Sequence, residues 1–419
     1  MLDDRQRALA TVDLSAVRHN VAHLVSLLPA GTALCAVVKA NGYGHGAVPV
    51  ARAALQAGAS WLGVATVAEV EELREAAVTA PVLIFGPLTG AEVARAARAR
   101  AEVAVWSEAF LAEALRAGAR VHVKFNSGMG RLGVDEGAAA ALCAAAAPSS
   151  ALAGLMSHFA TADEDDPAFF MSQLGRFAAL AGRLKARYPD LTAHIANSAA
   201  TMREPAAHFD MVRTGIAIYG LSPFGDDPEP HGLRPALRLS SYVAGIREVG
   251  PGESVGYGRR FVADRPARLA IVPIGYADGI ARALTNRGEV LIAGRRCPIA
   301  GTISMDQLTV LLPDDPTAVR PGDEVVFIGR SGAERILAED VARQLDTINY
   351  EIACDISSRV VRRYRETPDS PEAPRTAASL EPPLTSEPPA TAGSLETAGS
   401  PATAGSPETA GSPETAGSA

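Results

Sequence analysis

Eight short apolar runs recur every 20 to 40 residues between about residues 15 and 221, and segments with helical spacing separate them. Strands that are apolar throughout and alternate with amphipathic helices are typical of a parallel sheet buried on both faces. Eight such units predict a (β/α)8 barrel over residues 10–232. An open doubly wound sheet is disfavoured, because no Gly-x-Gly-x-x-Gly turn follows the first run. The runs are LCAVVKA (34–40), WLGVAT (61–66), PVLIFG (81–86), AEVAVWS (101–107), VHVKFN (121–126), LAGLMSHF (152–159), AHIANS (193–198) and MVRTGIAIYG (211–220).

The sequence pattern changes after about residue 233. From there to residue 365 the apolar runs are shorter, richer in valine and isoleucine, and divided by turn sequences such as VGPGESV and RPGDEVVFIG. Short apolar runs separated by turn sequences are typical of antiparallel strands joined by tight turns. This pattern predicts a mostly antiparallel β domain, formed by residues 1–9 and 233–365, with one helix near residues 336–345.

The last segment of the chain differs from both domains. Residues 366–419 contain few apolar residues and repeat TAGS five times with a six-residue period from residue 391. Such a segment buries too little apolar surface to offset the entropy lost on ordering. The sequence therefore predicts a disordered tail, to which we assign no chemistry.

Charge and cysteine usage exclude several classes of function. The formal net charge of -8 is spread along the chain and gives no reason to expect nucleic acid or an anionic membrane as a partner. No run of about 20 uncharged apolar residues occurs, and the N-terminus lacks the basic start and apolar core of an export signal. The four cysteines lack Cys-x-x-Cys spacing, so we expect no metal site, no disulfide framework and a cytoplasmic location.

Lysine is rare in this chain, and its positions are therefore informative. Only Lys39, Lys124 and Lys185 occur among 39 basic residues. Arginine does not lose its proton in proteins, so a retained lysine can indicate a need for a neutral amine. Lys39 ends the first apolar run, where partial desolvation favours the neutral form. A neutral amine can condense with an aldehyde such as pyridoxal phosphate, and a salt-bridged structural lysine is the alternative.

Donors suited to a phosphate group stand at the ends of the same runs. The segment NGYGHG brings the phenol of Tyr43 and a closely approaching backbone. Ser198 ends one strand and opens a helix, where free amides favour an anion. Gly215 and Ile216 follow another strand. Turn geometry explains each of these features singly, whereas their combination favours a phosphate site.

Nine ordered blocks of this sequence resemble the motifs of alanine racemases and span about Thr11 to Arg365. The resemblance implies a fold-type III pyridoxal-phosphate barrel joined to a β domain, working as a head-to-tail homodimer with shared active sites. It also implies two-base interconversion of L-alanine and D-alanine, which supplies D-alanine for peptidoglycan. The blocks are AVVKANGYGHG, NSGMGRLG, MSHFA, NSAA, VRTGIAIYG, SVGYGRRF, GYADG, ISMDQ and INYEI.

The same resemblance implies roles for individual residues. Lys39 matches the lysine that forms a Schiff base with the cofactor and acts as one acid/base group, and Tyr257 matches the opposite group, supplied by the other subunit. Arg213 matches the arginine at the pyridine nitrogen, with His158 behind it. Arg131 matches a residue near the cofactor's phenolic oxygen and the substrate carboxylate. The matched phosphate holders are Tyr43, Ser198, Gly215, Ile216 and Tyr350, and the matched substrate-site residues from the other subunit are Met305 and Asp306.

One further lysine and three departures from the family pattern concern the surroundings of the site. In the family, the lysine that matches Lys124 can be carbamylated, which turns a cation into an anion that orients the neighbouring arginine. A buried lysine paired with a carboxylate is the alternative. Asn126 and Ser127 stand where the family commonly has aspartate and threonine, and Thr302 stands where arginine is more usual. These changes leave the acid/base pair in place.

Other functions stay open at this point. Related barrel decarboxylases place a glutamate near the pyridine nitrogen, which Arg213 disfavours. A non-catalytic pyridoxal-phosphate-binding protein typically lacks the β domain and any counterpart of Tyr257. A broad-specificity racemase of small amino acids such as serine is a third alternative, because a side-chain pocket is a three-dimensional property. Tyr276 in GYADG is expected to line the substrate entrance.

Overall fold

A computed structural model describes residues 6–315 and 318–366 of the chain. The predicted disordered tail lies outside the described residues from residue 367 onward, and so do residues 1–5 of the predicted β domain. Of the helices in the described part, none has the length and hydrophobicity that a membrane crossing requires.

The first strand, β1 (Leu9–Asp13), runs directly into helix α1 (Leu14–Ser26). The Asp13 carboxylate caps this helix by accepting hydrogen bonds from Ser15 N at 3.0 Å and Ala16 N at 3.3 Å. Those two amides have no partner inside the helix, so the carboxylate fixes where α1 begins.

Eight parallel strands form a nearly closed barrel. They are β2 (Ala33–Val37), β3 (Trp61–Val64), β4 (Val82–Ile84), β5 (Ala101–Val105), β6 (Val121–Lys124), β7 (Leu152–Met156), β8 (Thr192–His194) and β9 (Met211–Thr214). Consecutive strands from β2 to β8 pair with each other, and β9 returns to pair with β2. Backbone hydrogen bonds from Asp210 N to Ala193 O at 3.1 Å and from Arg213 N to Ala196 O at 3.0 Å join the β8 and β9 ends. The eight apolar runs thus form the barrel strands.

Helical segments connect the barrel strands. They are α2 (Lys39–Tyr43), α3 (Ala47–Gln56), α4 (Val67–Glu75), α5 (Gly90–Arg98), α6 (Glu108–Arg116), α7 (Glu136–Ala146), α8 (Ala168–Arg187) and α9 (Ser198–Arg203). Helices α4 and α5 each begin with a capping box, formed by Thr66 with Glu69 and by Thr89 with Glu92. In this motif the side chain and backbone of both residues pair reciprocally, which sets the start of the helix.

The β domain follows the barrel and also contains β1. Its other strands are β10 (Leu237–Tyr242), β11 (Gly245–Val249), β12 (Ser254–Val255), β13 (Phe261–Val262), β14 (Ala267–Val272), β15 (Glu289–Ile292), β16 (Arg295–Pro298), β17 (Leu308–Leu311), β18 (Glu324–Ser331), β19 (Glu334–Ile336) and β20 (Val361–Arg365). The largest sheet has the order β16-β15-β18-β10-β1-β20, with β19 paired to β18. Only its β1–β20 pair is parallel. The predicted fold class is therefore confirmed, while β1 spans the boundary predicted at residue 10.

Two helices of the β domain, α10 (Ala338–Leu345) and α11 (Asn349–Cys354), connect it to the barrel. The buried Glu339 carboxylate accepts hydrogen bonds from Ser222 N at 2.9 Å and Asn349 Nδ2 at 2.8 Å. Asn349 Nδ2 also donates to Ser222 O at 2.8 Å. The Ala353 carbonyl lies so near Gly44 that a Cβ there would approach it to 2.1 Å. These contacts fix α11 against the end of the barrel where β2 leaves it.

Candidate active site

A cavity of about 360 Å³ lies at the carboxyl ends of the barrel strands. Its volume falls in the range of small-molecule and cofactor sites. The residues predicted for the site from the barrel sequence line this cavity, together with one residue of α11. Those residues are Lys39, Tyr43, Lys124, Arg131, His158, Ser198, Arg213, Gly215, Ile216 and Tyr350.

Lys39 leaves β2 at the start of a turn with left-handed backbone. Ala40, Asn41 and Gly42 have φ angles of 51°, 52° and 60°. This left-handed backbone conformation raises the free energy of a residue with a Cβ by about 1–2 kcal/mol. The turn is held by its neighbours: Ala40 N donates to Glu69 Oε1 at 2.6 Å, and the first amide of α3 donates to Asn41 Oδ1 at 3.0 Å. The surrounding structure thus imposes the direction in which Lys39 enters the cavity.

The Lys39 amine is partly shielded from water in the cavity wall. Burial lowers its pKa, and the positive charge of Arg131 lowers it further, while Glu69 acts in the opposite direction. Its Nζ lies 5.9 Å from the ring centre of Tyr43. A larger fraction of this amine is therefore neutral near neutral pH than in a solvated lysine.

Hydroxyls and amides converge at one end of the cavity. Ser198 Oγ accepts hydrogen bonds from Gly215 N at 3.0 Å and Ala217 N at 3.4 Å. A Cβ at Gly215 would lie 2.5 Å from the Tyr43 hydroxyl, so the close approach of these groups requires glycine. The ring centres of Tyr43 and Tyr350 are 6.0 Å apart. This end combines two phenols with a hydroxyl and backbone amides, a donor set suited to an anion.

Arg213 is buried in the cavity wall and held by several acceptors. Its Nη2 donates to Ser157 O at 2.7 Å and Ile195 O at 3.0 Å, and lies 3.1 Å from His158 Nδ1. Its Nη1 lies 2.8 Å from His194 Nδ1. Burial lowers the pKa of Arg213 to about 10, so the guanidinium stays charged at neutral pH. Burial and this charge hold the pKa of both histidines well below the usual value, so both imidazoles are neutral.

A buried chain of polar groups continues behind Arg213, and the sequence analysis missed it. His194 Nε2 lies 2.7 Å from His122 Nδ1, and His122 Nε2 lies 2.6 Å from Glu102 Oε2. The strand between the two histidines carries Gly154, and the absence of a side chain there leaves room for their contact. A Cβ at this position would lie only 2.3 Å from His122 Nδ1. The signal that could have revealed the chain was a polar residue inside the runs VHVK and AHI, with a glycine in the run between them.

Arg213 fixes the direction of the hydrogen bonds in this chain, because a guanidinium can only donate. Its Nη1 donates to His194 Nδ1, so the neutral His194 donates from Nε2 to His122 Nδ1. His122 Nε2 then donates to the Glu102 carboxylate. Burial raises the pKa of Glu102, but hydrogen bonds from His122 and Arg120 outweigh burial and lower the pKa overall, so the carboxylate is ionised. The chain thus keeps Arg213 as a proton-retaining donor.

Lys124 lies at the end of β6 and is 6% exposed. Burial lowers its pKa to about 8, and the positive charges of Arg213, Arg131 and Lys39 act in the same direction. A carboxylate partner would shift the pKa of a lysine the other way. The surroundings therefore disfavour the interpretation of Lys124 as an ion-paired structural lysine.

Two of the departures from the family pattern shape the loop that carries Arg131. Asn126 Oδ1 accepts hydrogen bonds from the two glycine amides of the GMG turn at 3.1 and 3.0 Å. The Ser127 and Ser157 hydroxyl oxygens are 2.8 Å apart. Asn126 and Ser127 thus stabilise the loop rather than enter the cavity.

Tyr257, Met305 and Asp306 lie in a separate, more open concavity of about 780 Å³ on the β domain. Tyr257 is 74% exposed and Met305 is 51% exposed. Tyr276, expected at the substrate entrance, lines the same concavity. Within one chain, the structure therefore separates the predicted site residues into two groups.

The described residues contain no group of three or more His, Cys, Asp or Glu side chains arranged to hold a metal ion. The four cysteines are free thiols. Burial raises the pKa of Cys35 to about 12, which makes this thiol a poor nucleophile.

Comparison with known families covers both parts of the chain that hold these residues. The family model described as alanine racemase, N-terminal domain, matches residues 12–223, and the model described as alanine racemase, C-terminal domain, matches residues 236–364. The chain belongs to the alanine racemase family. Its membership of this family makes it an enzyme, an alanine racemase. The two matched segments correspond to the barrel and the β domain.

Curated and solved alanine racemases agree with this chain over most of their length. The alanine racemase of Geobacillus stearothermophilus is 45% identical over 374 residues, which cover 87% of this chain and 95% of that one. The alanine racemase of Symbiobacterium thermophilum is 44% identical over 372 residues, which cover 87% and 98%. The crystal structure of alanine racemase from Bacillus anthracis with bound L-Ala-P has a TM-score of 0.80 at 39% identity, covering 86% and 95%. The family predicted from the sequence motifs is thus confirmed.

Proposed function

We propose that this chain interconverts L-alanine and D-alanine with pyridoxal 5'-phosphate held in the barrel cavity, and that Lys39 and Tyr257 are the two acid/base groups. One observation carries the proposal: an amine with a lowered pKa shares a cavity with a buried charged arginine and a cluster of hydroxyls and amides. Membership of the alanine racemase family supports the reaction and the substrate.

The residues of the cavity fit this cofactor. The end formed by Tyr43, Ser198, Gly215, Ile216 and Tyr350 suits its phosphate, because hydroxyls and backbone amides converge there, and a Cβ at Gly215 would clash with the Tyr43 hydroxyl. The buried guanidinium offers a donor for the pyridine nitrogen, and the amine offers a group that condenses with the aldehyde. These are complements for the three functional groups that distinguish the cofactor.

Racemisation removes the α-proton from one face of the substrate and returns a proton to the other, so it requires two acid/base groups on opposite sides. When bound, the cofactor withdraws electrons from the substrate and makes its α-proton acidic. Lys39 Nζ takes or gives the proton on one side, and the Tyr257 hydroxyl does so on the other. Arg131 binds the substrate carboxylate. Met305 and Asp306 of the facing subunit complete the substrate site.

Arg213 sets how strongly the cofactor ring attracts electrons. Its guanidinium would donate a hydrogen bond to the ring nitrogen without giving up a proton. The chain of His194, His122 and Glu102 accepts from Arg213 and orients it for this role. Because an arginine does not protonate the ring nitrogen as an aspartic acid would, Arg213 would limit the electron withdrawal that the cofactor supplies and so would suppress side reactions such as transamination.

In this proposal Tyr257 reaches the cavity of a second subunit. Its exposed side chain lines the β-domain concavity together with two other exposed large side chains, Met305 and Tyr276. Aromatic side chains and methionine are enriched at protein–protein interfaces. A head-to-tail homodimer, in which this concavity faces the barrel cavity of the other subunit, completes two identical sites.

Lys124 is proposed to carry a carbamate. Its neutral amine attacks the carbon of carbon dioxide and forms an N–C bond. The electron pair of one C–O π bond moves to oxygen and gives the negative charge of the carbamate. One proton of the amine leaves to solvent. A cation beside Arg131 and Arg213 thereby becomes an anion. Because its pKa is lowered to about 8, the neutral fraction rises as the pH increases through that value. At constant dissolved carbon dioxide, carbamylation should increase several-fold from about one pH unit below this pKa to one unit above it.

Carbon-13 NMR of the enzyme equilibrated with labelled carbon dioxide measures this modification. We expect a carbamate resonance that Lys124→Arg removes and that Lys185→Arg retains, since the Lys185 amine is ion-paired with Asp210 at 2.5 Å. A resonance that survives Lys124→Arg, or the lack of any resonance above the pKa, would refute the assignment.

The function itself is tested with the purified holoenzyme and L-alanine. We expect the optical rotation to fall to zero while D-alanine accumulates to half of the total. A parallel assay with L-serine determines whether the enzyme is a broad-specificity racemase. An enzyme that binds the cofactor but forms no D-alanine would disprove the proposal. We also propose that the enzyme acts in the cytoplasm and supplies D-alanine for peptidoglycan synthesis, which family membership supports.

A further inference from the structure

Hydrogen bonds from Thr302 and Asn286 attach the loop that carries Tyr257 to neighbouring segments of the β domain. We propose that Thr302 is a positioning residue for racemisation, because its hydroxyl fixes the backbone of Tyr257 and so the place of the phenol. This inference rests on the proposed role of Tyr257 and extends it by naming what holds that side chain.

Thr302 contacts the loop at its functional residue. Thr302 Oγ1 donates to the backbone carbonyl of Tyr257 at 2.6 Å. Thr302 is 5% exposed, whereas the Tyr257 side chain projects into the open concavity. The two backbones are in direct contact, since a Cβ at Gly256 would lie 3.2 Å from Thr302 N and one at Gly301 would lie 2.9 Å from Val255 O.

The loop is a single short turn between the paired strands β12 and β13, and several of its residues have positive φ angles. Gly256 and Gly258 have φ angles of 74° and 71°, and Arg259, which carries a Cβ, has a φ of 50°. Residues with a Cβ rarely adopt that region, and two glycines widen the range of conformations open to the free loop. A hydrogen bond at Tyr257, between the two glycines, therefore has a large influence on where the phenol points.

Asn286 ties the same two segments together beyond the turn. Its Nδ2 donates to Arg260 O at 2.8 Å, and its Oδ1 accepts from Gly301 N at 2.6 Å. The loop is thus fixed at its centre by Thr302 and at its end by Asn286. Asn286 keeps the two segments adjacent, and Thr302 sets the position of Tyr257 within that arrangement.

Thr302→Val tests the inference, because valine keeps the shape of threonine and removes the donor. We expect kcat for racemisation to fall about tenfold, since a small displacement of a reacting group costs one to two orders of magnitude. KM for alanine should change less than about twofold, because the substrate contacts remain. Thr302→Ser should restore most of kcat. The matched control is Thr309→Val, which removes a hydroxyl that donates to the Ala300 carbonyl in the same domain.

The deuterium isotope effect at the α-carbon separates positioning from loss of folded enzyme. A preparation with less folded protein has a lower rate and unchanged isotope effects. If Thr302→Val displaces Tyr257, proton transfer at that residue becomes more rate-limiting. The isotope effect should then rise for the alanine enantiomer whose proton Tyr257 removes, and fall for the enantiomer whose proton Lys39 removes.

Unchanged kcat and isotope effects in Thr302→Val would overturn the inference. Equal losses of kcat in Thr302→Val and Thr309→Val, with unchanged isotope effects, would also overturn it. Tyr257→Phe is measured in the same series to separate this inference from the function on which it rests. Loss of racemisation in Tyr257→Phe leaves the proposed function intact whatever Thr302→Val shows. Racemisation that persists in Tyr257→Phe contradicts the proposed function itself.

Discussion

Replacing Lys39 with alanine should lower the rate of alanine racemisation by about four orders of magnitude, because one residue supplies both the amine that binds the cofactor and an acid/base group. Lys124, the other lysine in the cavity, leaves a different strand and is surrounded by cations. We therefore expect Lys124 to replace Lys39 in neither role. The rate is measured as D-alanine formed from L-alanine, and borohydride reduction followed by peptide mass spectrometry locates the cofactor on the chain.

Lys185→Ala is the matched control for this change. Lys185 belongs to α8 and is ion-paired with Asp210 on the surface, so its loss should leave the rate within about twofold of the native enzyme. In the native enzyme, reduction should fix the cofactor to Lys39. Cofactor attached to another lysine, or racemisation by Lys39→Ala near the native rate, would refute the assignment.

Tyr257→Phe should lower the racemisation rate by about three orders of magnitude, which is the scale of a lost acid/base group. The side chain is 74% exposed in the single chain, so the change should leave the folding of each chain unaffected. Lys39 is still present in this variant. In deuterium oxide, the α-proton of one alanine enantiomer should therefore continue to exchange with solvent without inversion.

Tyr276→Phe is the control for the loss of a phenol. Tyr276 lines the same concavity and is also partly exposed, so removing its hydroxyl should change KM more than kcat. Equal losses of kcat in both tyrosine variants would argue that the effect of Tyr257→Phe is not specific to proton transfer.

The barrel and its cavity were predictable because each strand, and the residue at its end, can be identified from a short stretch of sequence. Each apolar run forms one strand, and residues that end parallel strands meet at the same end of a barrel. Lys39, Ser198 and Arg213 therefore converge even though more than a hundred residues separate the first from the others. The contribution of Tyr350 followed from the family motifs, since nothing in the local pattern of α11 points to the barrel.

The features that were not predicted depend on contacts between distant residues. The path from Arg213 through His194 and His122 to Glu102 requires four strands in register and a small residue between the histidines. In the left-handed turn after Lys39, Asn41 and Gly42 favour that backbone, whereas Ala40 gives no sign of it. The shape of the turn results from hydrogen bonds with groups that arrive later in the chain. The departure at Thr302 was visible in the sequence, but its bond to Tyr257 was not.

The mechanism depends on one site being built from Lys39 of one subunit and Tyr257 of the other. Lys39→Ala and Tyr257→Phe subunits, each inactive alone, should form heterodimers on exchange, in which one of the two sites has both native groups. Random exchange makes half of the dimers heterodimers, so we expect recovery to about one quarter of native racemisation activity. No recovery in a mixture that native mass spectrometry shows to contain heterodimers would contradict the shared site.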